Sequence, residues 1–117
     1  MDIIVDRPQL VRTALLYLNM NFGDLTRKTN SEYPNSVFYV NSNNEVMMED
    51  DKNTERVYID NDHIWSKIES LFHLDYDDTQ SIIKVWLEET YKLGGVIPKQ
   101  VRIVSRVRWR RLTNWND

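Results

Sequence analysis

The sequence predicts an α+β fold: an N-terminal helix, a three-stranded antiparallel meander, two consecutive helices and a C-terminal strand that joins the sheet. The first observation behind this prediction is the length, because 117 residues make one domain. The second is that apolar residues recur at helical spacing in three segments, while four other segments are rich in strand-forming residues. No linker divides the chain. We therefore expect a single domain over residues 1–117, with the helices on one sheet face.

The first helix is predicted from Pro8, which suits a first helical turn, to Phe22. Its apolar positions lie at i, i+4, i+7 and i+11 and form one stripe: Val11, Leu15, Leu18 and Phe22. Gly23 follows at the place where a left-handed residue ends many helices. Residues 23–35 are polar and aperiodic, and they predict a long polar loop.

The meander is predicted from three runs of strand-forming residues, at 37–40, 46–48 and 56–59. The segments between these runs, at 42–44 and 50–54, are rich in asparagine and aspartate, which is typical of turns. The three strands therefore follow one another as hairpins of an antiparallel sheet.

Two helices are predicted after the meander. Asp60, Asn61 and Asp62 offer a cap for the first, with Asp62 as the capping acid, and its inward stripe is Ile64, Ile68 and Leu71. A capping box over residues 77–80 predicts the start of the next helix, which runs to about Leu93 and is ended by two glycines. The inward residues of that helix are Ile82, Ile83, Trp86 and Leu87.

The last element, residues 101–111, alternates with period two and predicts a half-buried strand. The side predicted to face the core comprises Val101, Ile103, Val107 and Trp109. The other side comprises Arg102, Arg106, Arg108 and Arg110. Residues 112–117 are predicted to form a flexible tail, and Trp115 in this tail is the tryptophan expected to be exposed.

Composition excludes several kinds of chemistry and indicates a location. The chain has no cysteine, which excludes disulfides, thiol catalysis and zinc–thiolate sites. The longest apolar run, residues 14–18, is too short for a membrane span of about 20 residues, and the N-terminus does not look like a signal peptide. One alanine, three glycines and many asparagines indicate an A+T-rich gene. We therefore expect a cytoplasmic protein, and the composition favours a phage or viral accessory factor in an infected cell.

Charge is segregated along the chain, although the net charge is only −3. Residues 45–78 carry eleven acids against three bases, a net charge of −8. Residues 99–111 carry six bases and no acid. Such an asymmetry indicates that electrostatic attraction to a partner is part of the function.

We interpret the basic strand as a partner-binding surface. Its candidate binding residues are Arg102, Arg106, Arg108, Arg110, Arg111 and Trp115. The hypothesis that the charge pattern favours is a small non-enzymatic interaction protein, which binds an acidic protein surface or associates with the acidic 45–62 region of another copy. Two structural interpretations stay open. The arginines could guard an edge strand against aggregation, or they could neutralise the acidic meander of the same molecule.

Two further hypotheses use other combinations of residues. A nucleic-acid-binding module would use the same arginines on phosphates and would stack bases on Trp109, Trp115 and Tyr91. A metal-dependent hydrolase would be centred on Asp60 and Asp62, with Glu49 or Asp50 across the hairpin. Turn formation and helix capping account for the same acids without a metal.

No catalytic motif stands out. His63 and His73 lack the i, i+4 spacing of a helical zinc pair, and the three glycines do not form a phosphate-binding loop. We therefore expect no enzymatic activity, no metal and no small-molecule cofactor.

Overall fold

The computed structural model describes residues 7–91, 102–107, 109 and 112–116. In this part of the chain, six strands form one mixed sheet in the order β5-β4-β3-β2-β1-β6. The strands are β1 (Thr26–Asn30), β2 (Ser36–Val40), β3 (Val46–Asp51), β4 (Arg56–Asp60), β5 (Arg102–Arg106) and β6 (Trp115–Asn116). The predicted α+β class is confirmed, because a helix precedes the meander, two helices follow it, and β5 joins the sheet.

The helices are α1 (Arg7–Phe22), α2 (Ser66–Phe72) and α3 (Tyr76–Thr90), and one π-helical turn (Asn61–Trp65) leads into α2. The predicted end of the last helix at Leu93 lies outside the described residues, and α3 itself ends at Thr90. Leu71 is 53% exposed, so its predicted place in the buried stripe is wrong. Within the described ranges, no helix has both the length and the apolar composition needed to cross a membrane.

Both helix caps lie earlier than predicted. Asp60, and not Asp62, accepts a hydrogen bond from the backbone N–H of His63 at 2.7 Å. Asp75 accepts one from the backbone N–H of Asp78 at 2.8 Å, which replaces the predicted capping box at residues 77–80. In both cases the first aspartate of an acidic cluster is the cap, because it precedes the first turn by the spacing that a carboxylate can reach.

Gly23 is required for a close approach and not for a left-handed backbone, so that prediction is wrong. Its N–H donates to the carbonyl of Asn19 at 3.1 Å. A β-carbon at this position would lie 2.4 Å from the same oxygen. Gly23, the glycine that lies within the described residues, does not have a positive φ.

The segment predicted as a loop over residues 23–35 contains strand β1. Residues 26–29 pair antiparallel with residues 37–40 of β2. Most of β1 is exposed or half-buried, so its polar side chains can remain in water while its backbone pairs with β2. The apolar alternation that would have revealed a strand is therefore absent from this segment.

One face of the sheet packs against the helices and holds the apolar core. Strand β5 is parallel to β4, with Val57 opposite Ile103, and the π turn, α2 and α3 lie between these strands in the sequence. The sheet contributes Tyr39, Met48, Val57, Ile59 and Ile103, and the helices contribute Leu18, Ile64, Ile68, Ile83, Trp86 and Leu87. The predicted coverage of one sheet face by helices is therefore found.

The chain leaves β5 after Arg106 and meets the sheet again at its far edge. Val107 lies in a bend and is 64% exposed, so the predicted strand ends earlier than expected. Trp115 and Asn116 pair with Asn30 and Thr29 of β1. The prediction of a flexible tail is therefore wrong at these two residues, which form β6.

Candidate functional site

The candidate site is the sheet face that lies opposite the helices, which we call the open face. The strand register places Glu49 between Phe38 and Tyr58 on this face. Residues 106–116, which we call the strap, join β5 at one edge of the sheet to β6 at the other. The described residues of the strap are 106, 107, 109 and 112–116.

The length of the strap is close to the distance between the two edges of the sheet that it joins. Six strands have five spacings of about 4.8 Å between them, so the two edges of the sheet lie about 24 Å apart. The chain from Arg106 to Trp115 reaches only about 30 Å when it is extended at roughly 3.3 Å per residue. The number of residues between Arg106 and Trp115 is therefore only just sufficient to join the two edges of the sheet.

The half-buried residues of the strap, among those that the structure describes, recur at every third position of the sequence. These residues, which we call the anchors, are Arg106, Trp109, Leu112 and Trp115, and all four are half-buried. Val107, Thr113 and Asn114 lie between them in the sequence and are exposed.

The first anchor, Arg106, binds a carboxylate and two aromatic rings. Its Nη1 lies 2.8 Å from Oε1 of Glu49. Its guanidinium carbon lies 3.5 Å from the ring centroid of Tyr58 and 5.1 Å from that of Trp109. A guanidinium that has lost most of its water gains both from the charge pair and from the ring faces.

Glu49 is a buried carboxylate whose oxygens both have partners. It is 7% exposed, because its register places it in the middle of the open face. Oε1 accepts from Arg106, and Oε2 accepts from the hydroxyl of Ser36 at 2.7 Å. A charge at this depth is costly unless it is paired and hydrogen-bonded, so Glu49 requires both Arg106 and Ser36.

The pKa of Tyr58 is influenced by the charge of Arg106 as well. Its partial burial, which is the largest effect, raises its pKa. Hydrogen bonds to Thr54 and Arg56, together with the positive charges of Arg106 and Arg56, act in the opposite direction and bring its pKa below the ordinary value. The ring of Tyr58 therefore lies in a locally positive environment, although this region of the sequence is acidic.

The second anchor, Trp109, binds the carboxylate that ends β4. Its indole Nε1 donates to Oδ1 of Asp60 at 2.6 Å. The backbone N–H and the ring Nδ1 of His63 both lie 2.7 Å from Oδ2 of Asp60. Asp60 thus caps the π turn and holds the strap at the same time.

The last anchor, Trp115, packs edge-on against Phe38, with 5.3 Å between ring centroids. Phe38 in turn contacts Tyr33 edge-on at 6.4 Å. The ammonium of Lys28 lies 6.0 Å from the Trp115 ring. The expectation that Trp115 is exposed is wrong, because β6 brings its ring over β2.

Two cavities flank the middle of the strap. One, of about 280 Å³, lies beside the Glu49–Arg106 pair. The other, of about 500 Å³, lies beside Asp60 and His63. Trp109 and Leu112 line both cavities, so the strap forms the wall between them.

The structure places the predicted binding residues in three different situations. Arg106 and Trp115 are anchors that contact the open face of the same molecule. Arg102 lies in β5 with its backbone opposite Arg56. Arg108, Arg110 and Arg111 lie outside the described residues. For Arg106, the interpretation as a charge that neutralises the acidic meander within one molecule agrees with the contacts.

The carboxylates proposed for a metal site are engaged differently. Both oxygens of Asp60 accept hydrogen bonds, and Asp62 is exposed beside Asn61. Among the residues that the structure describes, no group of three or more acidic, histidine or cysteine side chains is placed to hold a metal ion. The geometry therefore gives the hydrolase hypothesis no support.

The sequence carried signals for site residues that the period-two interpretation missed. The period-two pattern predicts Trp109 on the core side of a strand, but Trp109 lies on the open face because the strand ends at Arg106. The repeated spacing of three in Arg106, Trp109, Leu112 and Trp115 would have identified the anchors.

No known protein family matches this chain, and neither a curated protein nor a solved structure matches it. The functional inference therefore rests on the contacts of the open face and the strap.

Proposed function

We propose that this protein is a small non-enzymatic interaction protein that binds an acidic protein surface through the arginines of its C-terminal segment. The binding residues are Arg102, Arg108, Arg110 and Arg111. Arg106 has a different role in this proposal, because it fixes the segment to Glu49.

The observation that carries the proposal is the anchoring of Arg106, Trp109 and Trp115 on the open face. Their contacts hold these three residues on a sheet that is buried on its other face by helices. Three arginines lie between the anchors in the sequence. A basic segment on a rigid support loses less conformational entropy on binding than a free tail, which favours a specific partner.

The positive charge of the C-terminal segment favours an acidic partner. Residues 99–111 carry six bases, and Glu49 neutralises one of them, Arg106, within the described contacts. In addition, Trp109, Trp115 and Tyr91, on which bases would stack, are packed against other residues of this chain. These contacts favour a protein partner over a nucleic acid.

The test compares two charge-reversed variants of the full chain. The first carries Arg102→Glu, Arg108→Glu, Arg110→Glu and Arg111→Glu, and it leaves Arg106 unchanged so that the anchor is kept. The control carries four reversals at exposed positions outside the segment: Arg12→Glu, Lys52→Glu, Lys67→Glu and Lys84→Glu. Both variants therefore have the same net charge, and only its location differs.

Binding of a fluorescein-labelled glutamate-rich peptide is measured by anisotropy at low and high salt. We expect the first variant to bind about tenfold more weakly than the control, with the difference shrinking at high salt. Equal binding by the two variants would contradict the proposal. Tighter binding of a single-stranded oligonucleotide than of the peptide by the wild type, lost in the first variant alone, would instead support the nucleic-acid module.

A further inference from the structure

We infer that the larger cavity beside the strap, of about 500 Å³, binds a small neutral aromatic compound that carries a hydroxyl group. The imidazole ring of His63 accepts the hydrogen bond that this hydroxyl donates. The inference is independent of the proposed function, because it uses His63 and Asp60 and not the arginines of the C-terminal segment.

Asp60 fixes the orientation of the His63 ring. Nδ1 of His63 lies 2.7 Å from Oδ2 of Asp60. The same carboxylate accepts hydrogen bonds from the backbone N–H of His63 and from the indole N–H of Trp109. Because an ionised carboxylate only accepts, the ring proton of neutral His63 lies on Nδ1, and Nε2 carries the lone pair.

Nε2 of His63 can therefore accept a hydrogen bond from a ligand. The side chain of His63 is 51% exposed, and it lines the cavity together with Asp60. Among the described residues, the hydrogen bonds of His63 use its backbone N–H and Nδ1, and none reaches Nε2. An acceptor that a buried carboxylate already holds in place loses little conformational entropy on binding, which favours recognition of a hydroxyl group.

The walls of the cavity favour an aromatic ring. Trp109, Leu112 and Trp115 of the strap line it, together with Val46 and Met47 of β3. Apolar walls with a few polar groups are typical of sites for small molecules. An apolar cavity of about 150 Å³ is enough for one benzene ring, so this cavity has room for a compound with one or two rings.

The charges around the cavity favour a neutral compound. The carboxylates of Glu45 and Asp60 both line it, and they oppose the entry of an anion. Both oxygens of Asp60 already accept hydrogen bonds, so this carboxylate offers little to an ammonium group. A phenol hydroxyl has a pKa of about 10 and remains an uncharged donor at neutral pH.

The experiment titrates phenol or toluene into the ¹⁵N-labelled full-length protein. The two compounds have nearly the same size, but only phenol can donate a hydrogen bond. Chemical shifts of the Trp109 indole N–H and of the His63 ring nitrogens give the two dissociation constants. We expect both compounds to shift the Trp109 signal, and phenol alone to shift Nε2 of His63.

The variant His63→Phe keeps a ring of similar shape but has no acceptor. We expect the preference for phenol over toluene to fall about fivefold in this variant, which is the usual effect of one hydrogen bond. The matched control is His73→Asn at the end of α2, where the backbone is left-handed and asparagine is tolerated. This control should keep the preference of the wild type.

An unchanged preference in His63→Phe would overturn the inference. The absence of any shift at Trp109 and His63, up to the solubility limit of toluene, would overturn it as well. If His63→Phe does not fold, the wild type decides alone. A shift of Nε2 that phenol causes and toluene does not supports the site, and equal shifts with both compounds contradict it.

Discussion

The two faces of the sheet are buried by different chemistry. On the helix side, Ile59, Ile83 and Trp86 belong to a continuous apolar core with exposures of 0%. On the open face, the strap is held by a salt bridge, an indole–carboxylate hydrogen bond and an edge-on pair of rings. Apolar contacts have no preferred direction and tolerate a change of partner. The polar contacts of the open face require particular groups at particular positions.

This difference separates stability from recognition. The stabilising free energy from apolar burial on the helix side is proportional to the buried area, and it supplies most of the folding free energy. Each polar contact on the open face contributes little net stability but is costly when one partner is missing. We therefore expect the helix side to determine whether the chain folds, and the open face to determine what the strap binds.

The largest expected effect is on the helix side. Trp86→Ala removes a fully buried ring and the donor to Oδ1 of Asn19, at 3.0 Å. We expect the free energy of unfolding in urea to fall by about 3–5 kcal/mol, enough to unfold much of a marginal domain. A loss below about 1 kcal/mol, comparable to a surface substitution, would show that the helix side does not carry the core.

A smaller effect is expected at the centre of the open face. Glu49→Ala leaves the guanidinium of Arg106 and the hydroxyl of Ser36 without their acceptor. We expect a loss of about 1–3 kcal/mol, at the lower end because the Arg106 side chain is 25% exposed.

The matched control is Glu49→Gln, which keeps an acceptor at nearly the same place and should lose less. Unfolding in urea measures both variants. Equal losses for the two substitutions would mean that the shape of the residue, and not its pairing with Arg106, matters at this position.

A third effect is expected on alkaline titration of the helix side. Burial raises the pKa of Tyr91 to about 12, well above the value of 10.0 for a free tyrosine. Its hydroxyl donates to the carbonyl of Phe22 and accepts from the N–H of Leu25. Since the folded state holds this proton more tightly than the unfolded state, its stabilising contribution is present below pH 10 and is lost as the pH rises towards 12.

Thermal melting from pH 9 to 12 measures this loss, with Tyr91→Phe as the control. The variant should start with a lower melting temperature, because it lacks the two hydrogen bonds, and should then lose less with rising pH than the wild type. Parallel curves would show that other groups cause the alkaline loss.

The smallest effect is expected on α1 outside both faces. Met20 is 77% exposed, and Met20→Gln should change the free energy of unfolding by no more than about 0.5 kcal/mol. A larger loss of free energy of unfolding in urea would indicate that α1 has a further packing partner outside the two faces of the sheet.

The helix side was largely predictable from the sequence, because periodic apolar residues specify it. Ile64, Ile68, Ile83 and Trp86 were assigned inward from their spacing, and each is buried. The exceptions lie at the ends of elements. Leu71, near the end of α2, and Val107, one residue after β5, follow the expected period but are exposed, since the period does not show where the chain turns away.

The open face was much less predictable. Strand β1 carries no apolar alternation, and β6 has only two residues, so the two strands at one edge of the sheet were missed. The strap was interpreted with period two, although its anchors have period three. Glu49, Asp60 and Trp109 meet only after the sheet has formed, because they come from three separate segments, and no local pattern predicts such a meeting.

The most direct test of this account is a nuclear Overhauser measurement on the isotope-labelled full chain. We expect cross-peaks between the ring protons of Trp115 and Phe38, and between the indole N–H of Trp109 and the β-protons of Asp60, because these groups are in contact. Cross-peaks from both indoles to sequence neighbours alone, with rapid exchange of the Trp109 indole proton with water, would contradict the anchored strap.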